Sequence, residues 1–261
     1  MKKRVLVALV VVVALAATAS VVWADPGEWH VYPGESIQAA VNNASDGDVV
    51  YVNDGTYDET ITISGKDVSL MAIGAVTIAP TSGCSSDRRG IIEVYDGVAT
   101  IDGFTIDANY SSGSGCLGGI YVRSMAMSNE GPATAVISNN TVFDYGKNGI
   151  TVNGSGATAT VLNNTVQGRG PIGLGDWAQN GIQFGYGAKG VGRGNTVTDH
   201  YYAGPGWYAT GILLFDVYAV DVKTSQNMFR NNQRNLSLLT DQACPHQFGG
   251  VYDEWDLCSY Y

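Results

Sequence analysis

Residues 180–202, NGIQFGYGAKGVGRGNTVTDHYY, are one copy of a unit that recurs along the chain. The unit begins with a Gly-Ile pair, continues through short apolar and glycine-rich pieces to Asn-Thr-Val, and ends in a polar aromatic segment. Four copies of the pair are spaced by 30, 32 and 30 residues: Gly119-Ile120, Gly149-Ile150, Gly181-Ile182 and Gly211-Ile212. A period of this length indicates a solenoid built from one repeated unit.

Within each unit the apolar residues alternate with others, as at Ile150 and Val152 and again at Ala159 and Val161. A period of two residues predicts β-strands rather than helices. The strands are short, are separated by Gly and Asn, and leave no room for a crossover helix. We therefore predict an all-β fold, a coil of short strands in which each turn stacks on the next at about 4.8 Å around an apolar interior.

A second signal lies between the Gly-Ile pairs. Three segments match closely, and a fourth matches loosely: Asn139-Asn140-Thr141-Val142, Asn163-Asn164-Thr165-Val166, Gly194-Asn195-Thr196-Val197 and Gln226-Asn227-Met228-Phe229. In a stacked coil the second residue of each segment would lie above its counterpart, and the asparagines would form an amide ladder at a turn between two sheets. The alternative is that they are isolated turn residues that tolerate left-handed backbone.

The first 24 residues have the pattern of a secretory signal peptide. Lys2, Lys3 and Arg4 precede an apolar run, and Trp23-Ala24 provides the cleavage region at its end. We predict cleavage after Ala24, with a retained membrane anchor as the alternative. The protein is then expected to be secreted, periplasmic or at the cell surface, without membrane contact after cleavage.

Acidic side chains outnumber basic ones, because 24 Asp and Glu stand against 14 Lys and Arg for a net charge of -10. Three of the basic residues belong to the signal segment, so the mature chain is more acidic still. This balance argues against nucleic acid or an anionic membrane as partner and is compatible with calcium or cationic partners. Ordinary surface solubility is the plain alternative.

A helix is predicted near the start of the mature chain. Residues 36–41, SIQAAV, place apolar side chains at helical spacing after the N-cap candidate Ser36, and short strands follow at 49–52, 60–63, 68–72 and 76–78. A solenoid needs a cap over its first coil, because an open end exposes the core and unpaired strand edges. We expect the helix to be that cap.

The run at 36–74, SIQAAVNNASDGDVVYVNDGTYDETITISGKDVSLMAIG, resembles the opening of secreted right-handed parallel β-helix proteins of the pectin-lyase-like superfamily, in which a helix caps the first coil. The later NGI and NNTV units are similar to the generic repeats of that superfamily. The resemblance implies a right-handed single-stranded parallel β-helix in one domain at 25–261. The N-terminal cap would cover 25–48, the coils about 49–239 and the C-terminal cap 240–261. The same fold hosts lyases, hydrolases, esterases, epimerases and non-catalytic surface proteins.

All four cysteines, Cys84, Cys116, Cys244 and Cys258, follow the signal segment. An even number in an exported chain predicts two disulfides. Nearest-neighbour pairing joins Cys84 to Cys116 and Cys244 to Cys258, although three connectivities exist. A metal site is the alternative, but no Cys-x-x-Cys spacing supports it.

Aligning the units places the outward side chains of the Ile-x-Val strand in two rows. The first row reads Glu93, Tyr121, Thr151, Gln183 and Leu213, and the second reads Tyr95, Arg123, Asn153, Gly185 and Phe215. The loops that join the Asn-Thr-Val strand to the next Gly-Ile strand vary most in length, and function collects in such loops. We expect them to rim a polysaccharide groove over these rows.

The loops and rows carry the candidate functional residues. Aromatic faces for sugar rings are expected at Trp177, Trp207, Tyr202 and Tyr208, with Lys147, Gln183 and Tyr121 as further substrate-binding residues. Arg123 and Arg169 would neutralise uronate carboxylates, and His200, beside Asp199, or Tyr201 would act as base or acid. This set predicts an acidic polysaccharide as partner and a lyase or epimerase that abstracts a proton at a uronic acid.

Two other functions stay open. Asp144 and Asp199 each follow an aligned valine by two residues, which places them two rungs apart, about 9.6 Å, near the upper limit for the carboxylates of inverting glycosidases. A non-catalytic matrix or surface protein would use the same aromatic loops to bind glycan, as a monomer or in an end-to-end assembly. The plain interpretations are a structural His200, loop-packing aromatics, and Arg123 paired with Glu93 or Asp96.

No cofactor is required by these residues, but calcium is compatible with them. The candidate ligands are Asp96, Asp102, Asp107, Asp144 and Asp216. Neither an EF-hand loop nor a nonapeptide calcium repeat is present in the sequence.

Overall fold

Each repeat unit folds into one turn of a coil that contributes three short β-strands. The computed structural model describes residues 26–84, 89–112, 115–124, 130–218 and 220–239. The strands form two parallel sheets of seven and thirteen strands, and successive units contribute neighbouring strands to each. This arrangement is the right-handed parallel β-helix, and it confirms the predicted fold class.

The seven-stranded sheet contains the Gly-Ile strands. Its members are β3 (Ile61–Ser64), β5 (Ile92–Tyr95), β8 (Gly118–Arg123), β11 (Asn148–Asn153), β14 (Asn180–Gly185), β17 (Thr210–Phe215) and β20 (Arg234–Leu239).

The thirteen-stranded sheet contains the two remaining strands of each coil. Its members are β1 (Glu28–Val31), β2 (Asp48–Tyr57), β4 (Asp67–Ile78), β6 (Gly97–Asp102), β7 (Thr105–Asp107), β9 (Ala133–Ser138), β10 (Thr141–Phe143), β12 (Ala157–Leu162), β13 (Thr165–Ile172), β15 (Lys189–Arg193), β16 (Thr196–Tyr202), β18 (Val222–Ser225) and β19 (Met228–Arg230). The two short strands expected at 68–72 and 76–78 are one continuous strand, β4.

The register of the seven-stranded sheet stacks identical residues inside the coil. Ile92, Ile120, Ile150, Ile182 and Ile212 pair in succession, and each is 1% exposed or less. Because side chains alternate across a strand, the residues one and three positions after each isoleucine face outward, and they form the two predicted rows. The register therefore confirms both rows.

The asparagine ladder is present at the turn between the two halves of the larger sheet. Asn140 donates its backbone N–H and its Nδ2 to Oδ1 of Asn164 at 3.0 Å each. Asn164 donates to Asn195 at 2.9 and 3.0 Å, and Asn195 donates to Asn227 at 3.0 Å twice. The predicted ladder is confirmed. The preceding residue is left-handed, as at Asn163 with φ 54°, which favours Asn or Gly there, although Gln226 adopts the same conformation with φ 56°.

The cap helix α1 (Ile37–Asn43) begins after Ser36, whose Oγ accepts from the N–H of Ala39 at 3.1 Å. Ile37 and Val41 are buried in the core below it. Glu59 accepts the N–H groups of the first turn, and Lys66 Nζ donates to three carbonyls at the last turn. Two charged side chains of the first coil thus hold opposite ends of the cap, where the helix leaves polar groups unpaired.

A short 3-10 helix, Tyr110–Ser112, interrupts the coil near the disulfide. Cys84 and Cys116 are bonded with Cα atoms 5.0 Å apart, which confirms that pairing. Cys244 and Cys258, the signal segment and the expected C-terminal cap lie outside the described residues. Among the residues described, no helix has the length and apolar character needed to span a membrane.

Candidate functional site

A cleft of about 520 Å³ opens where three neighbouring strands of the larger sheet, β10, β13 and β16, run into their loops. Its walls combine two carboxylates, an amide, a guanidinium and an aromatic ring. The lining residues are Ser111, Phe143, Asp144, Gln167, Gly168, Arg169, Gly170 and Asp199. The cleft brings together Asp144, Arg169 and Asp199 from the predicted set.

Asp144 and Asp199 lie on either side of a glycine. Thr141 pairs with Thr165 and Thr165 with Thr196, so by the same register Gly168 occupies the rung between the two aspartates. A Cβ at Gly168 would overlap the carbonyl oxygen of Asp199, which explains the glycine. Two rungs correspond to about 9.6 Å. At Gly168 itself the intervening rung carries no side chain.

Both aspartates also have a role in the turn. Their φ angles of 50° and 64° are left-handed, a conformation that Asp and Asn tolerate. Asp144 accepts from the backbone N–H of Ser111 at 3.1 Å and from its Oγ–H. Asp199 accepts from Asn231 Nδ2 at 3.0 Å and from Gln167 Nε2 at 3.2 Å.

These hydrogen bonds set the charge of Asp199. The amide of Asn231, followed by the side chains of Thr198 and Gln167 and the ring of His200, lowers the pKa of the Asp199 carboxyl, while partial burial opposes them. Asp199 is therefore ionised at neutral pH. A carboxylate in this state can act as a base or as an acceptor for a cation.

A β-bulge aims Arg169 at the cleft. The register between β13 and β16 shifts between Gln167 and Gly170, so Gly168 and Arg169 oppose the single residue Asp199. Bulges re-aim side chains next to functional sites. Arg169 is nevertheless well partnered.

The partners of Arg169 come from three directions. Its Nη2 lies 2.6 Å from Asp176 Oδ1, its Nε donates to the Tyr145 carbonyl at 3.2 Å, and its guanidinium lies 4.6 Å from the Tyr110 ring centre.

The other two predicted cations are engaged elsewhere. Arg123 Nε lies 3.1 Å from Glu130 Oε1, and its guanidinium lies 4.9 Å from the Tyr95 ring centre. The predicted partners Glu93 and Asp96 are replaced by Glu130. Lys147 Nζ donates to the Ala178 carbonyl, and burial lowers the pKa of its ammonium. Neither side chain lines the cleft.

His200 does not lie in an open loop, and on this point the sequence-based placement is wrong. It belongs to β16 and is 0% exposed. Its Nδ1 donates to Asn232 Oδ1 at 2.8 Å, and its Nε2 accepts from the Tyr145 hydroxyl. Burial lowers the pKa of the ring to about 4. A neutral, enclosed imidazole with both nitrogens bonded pins the loop and cannot reach a polysaccharide in this conformation.

Four aromatic side chains are exposed on two adjacent segments, 172–180 and 201–210, each of which joins the end of one strand to the start of the next. We call Trp177, Tyr201, Trp207 and Tyr208 the aromatic surface; they are 55%, 44%, 71% and 54% exposed. Gly170 lines the cleft, and the next residue, Pro171, pairs with Tyr201. The aromatic surface therefore begins where the cleft ends.

Tyr202 differs from the prediction, because it is buried rather than available for stacking on sugars. It packs with Ile172, Ala178 and Ala209 in a small apolar cluster between the two loops. Gln233 Oε1 accepts from the N–H groups of Tyr202 and Ala209, at 3.2 and 2.9 Å. Tyr202 therefore braces the aromatic surface from below.

Gln183 and Tyr121 lie on the outer face of the seven-stranded sheet, apart from the cleft. Gln183 Nε2 donates to Asn153 Oδ1 at 3.1 Å, and Asn153 Nδ2 donates to the Tyr121 hydroxyl at 3.3 Å. Burial raises the pKa of the Tyr121 phenol. The two residues are joined through Asn153 in one chain of hydrogen bonds, and none of the three residues lines the cleft.

The aspartates that were considered for calcium are dispersed. Asp102 accepts from Ser138 and Asn139, whereas Asp107 accepts from the N–H of Asn109. Among the described residues, no three His, Cys, Asp or Glu side chains converge in a way that would hold a metal ion.

A family model described as the right-handed β-helix region matches residues 89–248, more than half of the chain. The chain belongs to the right-handed β-helix family. No curated protein sequence matches it.

Two solved structures are similar to this right-handed β-helix protein. One is the pectin methylesterase of Aspergillus niger in deglycosylated form, at 16% identity and a TM-score of 0.43, with 90% of this chain and 89% of that chain covered. The other is the same enzyme in penultimately deglycosylated form, at 14% identity and a TM-score of 0.40 over the same shares.

Sequence reasoning did not find Ser111, Gln167, Gly168 and Asp176 in this β-helix protein. Gln167 and Gly168 could have been found, because they align with Phe143 and Asp144 one unit earlier. Ser111 and Asp176 reach the site through irregular segments whose path no repeat fixes.

Proposed function

We propose that this protein binds an extracellular polysaccharide on the aromatic surface, with the adjoining cleft as part of the same site. The observation that supports the proposal is the joint exposure of Trp177, Tyr201, Trp207 and Tyr208 on two loops that pack against each other. Large aromatic side chains left in water form a surface that gains free energy when a partner covers it. Flat rings with a polar edge suit sugar rings, which present C–H groups on one face and hydroxyls at the rim.

The loops are braced, which favours binding by a preformed surface. Gln179 Oε1 accepts from the Arg169 N–H at 2.9 Å, and its Nε2 donates to the Tyr145 carbonyl. Gln233 ties together the two ends of the second segment through the N–H groups of Tyr202 and Ala209, and the Ile172–Tyr202 contact holds this segment to the first. A surface held in place before binding loses less conformational entropy when the ligand arrives. An extracellular location agrees with the disulfide between Cys84 and Cys116.

Affinity electrophoresis in gels that contain a soluble polysaccharide tests this proposal. Trp177→Ala and Trp207→Ala should each weaken retardation about tenfold, because a buried aromatic contact contributes about 1–3 kcal/mol to binding. Tyr218→Ala is the matched control, since Tyr218 is 56% exposed outside the aromatic surface. Equal retardation of the Trp variants and the wild type in every polysaccharide would refute the proposal.

A second candidate function, inverting glycoside hydrolysis, is favoured by the placement of Asp144 and Asp199 in one cleft, on the rungs on either side of Gly168. The separation of about 9.6 Å leaves room for a water beside the sugar. Asp199, whose pKa is lowered, would activate the water as general base, and the reaction would require Asp144 to be the proton donor to the leaving oxygen.

Product analysis tests the hydrolase. Asp144→Asn and Asp199→Asn should each abolish the release of reducing ends while leaving retardation in an affinity gel that contains a neutral polysaccharide. No release by the wild type from any polysaccharide that it binds would leave the protein as a binding module.

A lyase or epimerase acting on a uronic acid is the remaining finer alternative. With His200 enclosed, the base would have to be Asp199 or Tyr201, and Arg169 would have to leave Asp176 to neutralise the uronate. A lyase produces an unsaturated uronate that absorbs in the ultraviolet. The absence of that product together with retained binding would exclude the lyase.

A further inference from the structure

The two cations predicted nearest the cleft, Arg169 and Lys147, already have partners within the protein. Arg169 is held by Asp176 at 2.6 Å, and it is also fixed by the Tyr145 carbonyl and the Tyr110 ring. Lys147 donates to a backbone carbonyl. A uronate that enters the cleft would have to displace Asp176 from Arg169 in order to gain a charge-assisted hydrogen bond.

The negative charges of the cleft are not neutralised in this way. Asp144 and Asp199 accept hydrogen bonds from Ser111, Gln167 and Asn231, which are uncharged donors. Within the described ranges, neither carboxylate forms an ion pair with a Lys or Arg side chain. The cleft therefore carries net negative charge, and the whole chain carries -10. Like charge in a partly enclosed cleft repels an anionic ligand more strongly than it would on an open surface.

Both carboxylates keep acceptor capacity toward the cleft. An ionised carboxylate offers about four lone-pair sites, and an ammonium group offers three N–H donors and no acceptor. An amino sugar in the cleft can thus donate charge-assisted hydrogen bonds to Asp144 or Asp199 while its neighbours in the glycan stack on the aromatic surface.

We propose that the cleft selects polysaccharides with free amino groups and rejects uronic acids. The inference rests on the proposed polysaccharide binding and names its substrate class. It also opposes the acidic polysaccharide that sequence reasoning predicted, because the three cations on which that prediction depended are engaged inside the fold. A neutral glycan should bind with intermediate affinity, through the aromatic surface alone.

Calorimetric titration with three oligosaccharides of equal length tests the selectivity. The probes are hexamers of glucosamine, glucose and galacturonic acid, at a pH below the pKa of the glucosamine amine and at low salt. We expect the glucosamine hexamer to bind about tenfold more tightly than the glucose hexamer, and the galacturonate hexamer to bind most weakly. Added salt should reduce the first difference, because screening weakens charge pairs at a partly exposed site.

Charge variants locate the effect. Asp144→Asn and Asp199→Asn keep a residue that tolerates left-handed φ, and each should reduce the preference for glucosamine severalfold. Asp216→Asn is the matched control, because Asp216 is exposed, also left-handed at φ 51°, and absent from the cleft lining. Asp176→Asn should release Arg169 and raise galacturonate binding.

The outcomes separate the two proposals. Equal binding of all three hexamers, or tightest binding of galacturonate, would overturn the charge selectivity and leave polysaccharide binding standing. An unchanged preference in both cleft variants, or the same loss in Asp216→Asn, would also overturn it. If no hexamer binds and the polysaccharide gels show no retardation either, polysaccharide binding itself fails.

Discussion

Replacing Asn164 by alanine removes a central member of the buried ladder. The Asn164 side chain takes part in four hydrogen bonds: Oδ1 accepts from the N–H and Nδ2 of Asn140 at 3.0 Å each, and Nδ2 donates to the Ile137 carbonyl at 2.9 Å and to Asn195 Oδ1 at 3.0 Å. The residue is 1% exposed, so water does not replace these partners. At about 1 kcal/mol for each bond, the free energy of unfolding should fall by about 4 kcal/mol.

Urea unfolding of the mature protein, followed by far-ultraviolet circular dichroism, measures this loss. Asn163→Gly is the matched control: Asn163 is exposed with φ 54°, and Gly194 occupies the same turn position one unit later, so the change should cost little. Asn227→Ala, where Asn227 takes part in three such bonds, should cost about 3 kcal/mol. A loss below about 1 kcal/mol for Asn164→Ala, or an equal loss in the control, would refute the reasoning.

Three further predictions concern stability. Burial lowers the pKa of His200 from 6.5 to about 4, so the unfolded state takes up a proton at a higher pH than the native state does. The free energy of unfolding should therefore fall by about 3 kcal/mol as the pH drops from about 6.5 to 4. Denaturation profiles of His200→Asn should lack this pH dependence, whereas those of His30→Gln should retain it. Lys66→Met should cost about 2 kcal/mol in urea unfolding, since it removes the charged donor to three carbonyls at the end of the cap helix; an unchanged midpoint would contradict that role. Reduction of Cys84–Cys116, which closes a loop of 32 residues, should cost about 4 kcal/mol, and thermal unfolding with and without reductant measures it.

Repetition made most of the fold predictable. The Gly-Ile and Asn-Thr-Val units align without gaps inside strands, so the sequence was sufficient to predict the isoleucine column, both outward rows and the asparagine ladder. Strand merging in β4 was not predictable. The strand β4 continues through a register shift opposite Asn53 and Gly55, and this continuity depends on pairing with β2 rather than on the sequence pattern of β4 itself.

The site was less predictable, because it lies where the repeat ends. The valine-plus-two rule placed Asp144 and Asp199 in one cleft, since both positions still belong to the aligned unit. His200 is one residue further, and its burial follows from the tertiary contacts with Tyr145 and Asn232, which lie one coil or more away. The ion pair between Arg169 and Asp176 was also not predictable, because Asp176 reaches Arg169 from an irregular loop.

Indole N–H signals in a nitrogen–proton NMR titration test the central proposal most directly. Trp177 and Trp207 belong to the aromatic surface, whereas Trp29 lies in the N-terminal strand β1 and donates its Nε1–H to Asp48 at 3.0 Å, so it serves as an internal control. On addition of the glucosamine hexamer, the Trp177 and Trp207 signals should shift in a saturable manner while the Trp29 signal stays in place. Saturable binding that leaves both Trp177 and Trp207 unmoved would contradict the proposed site.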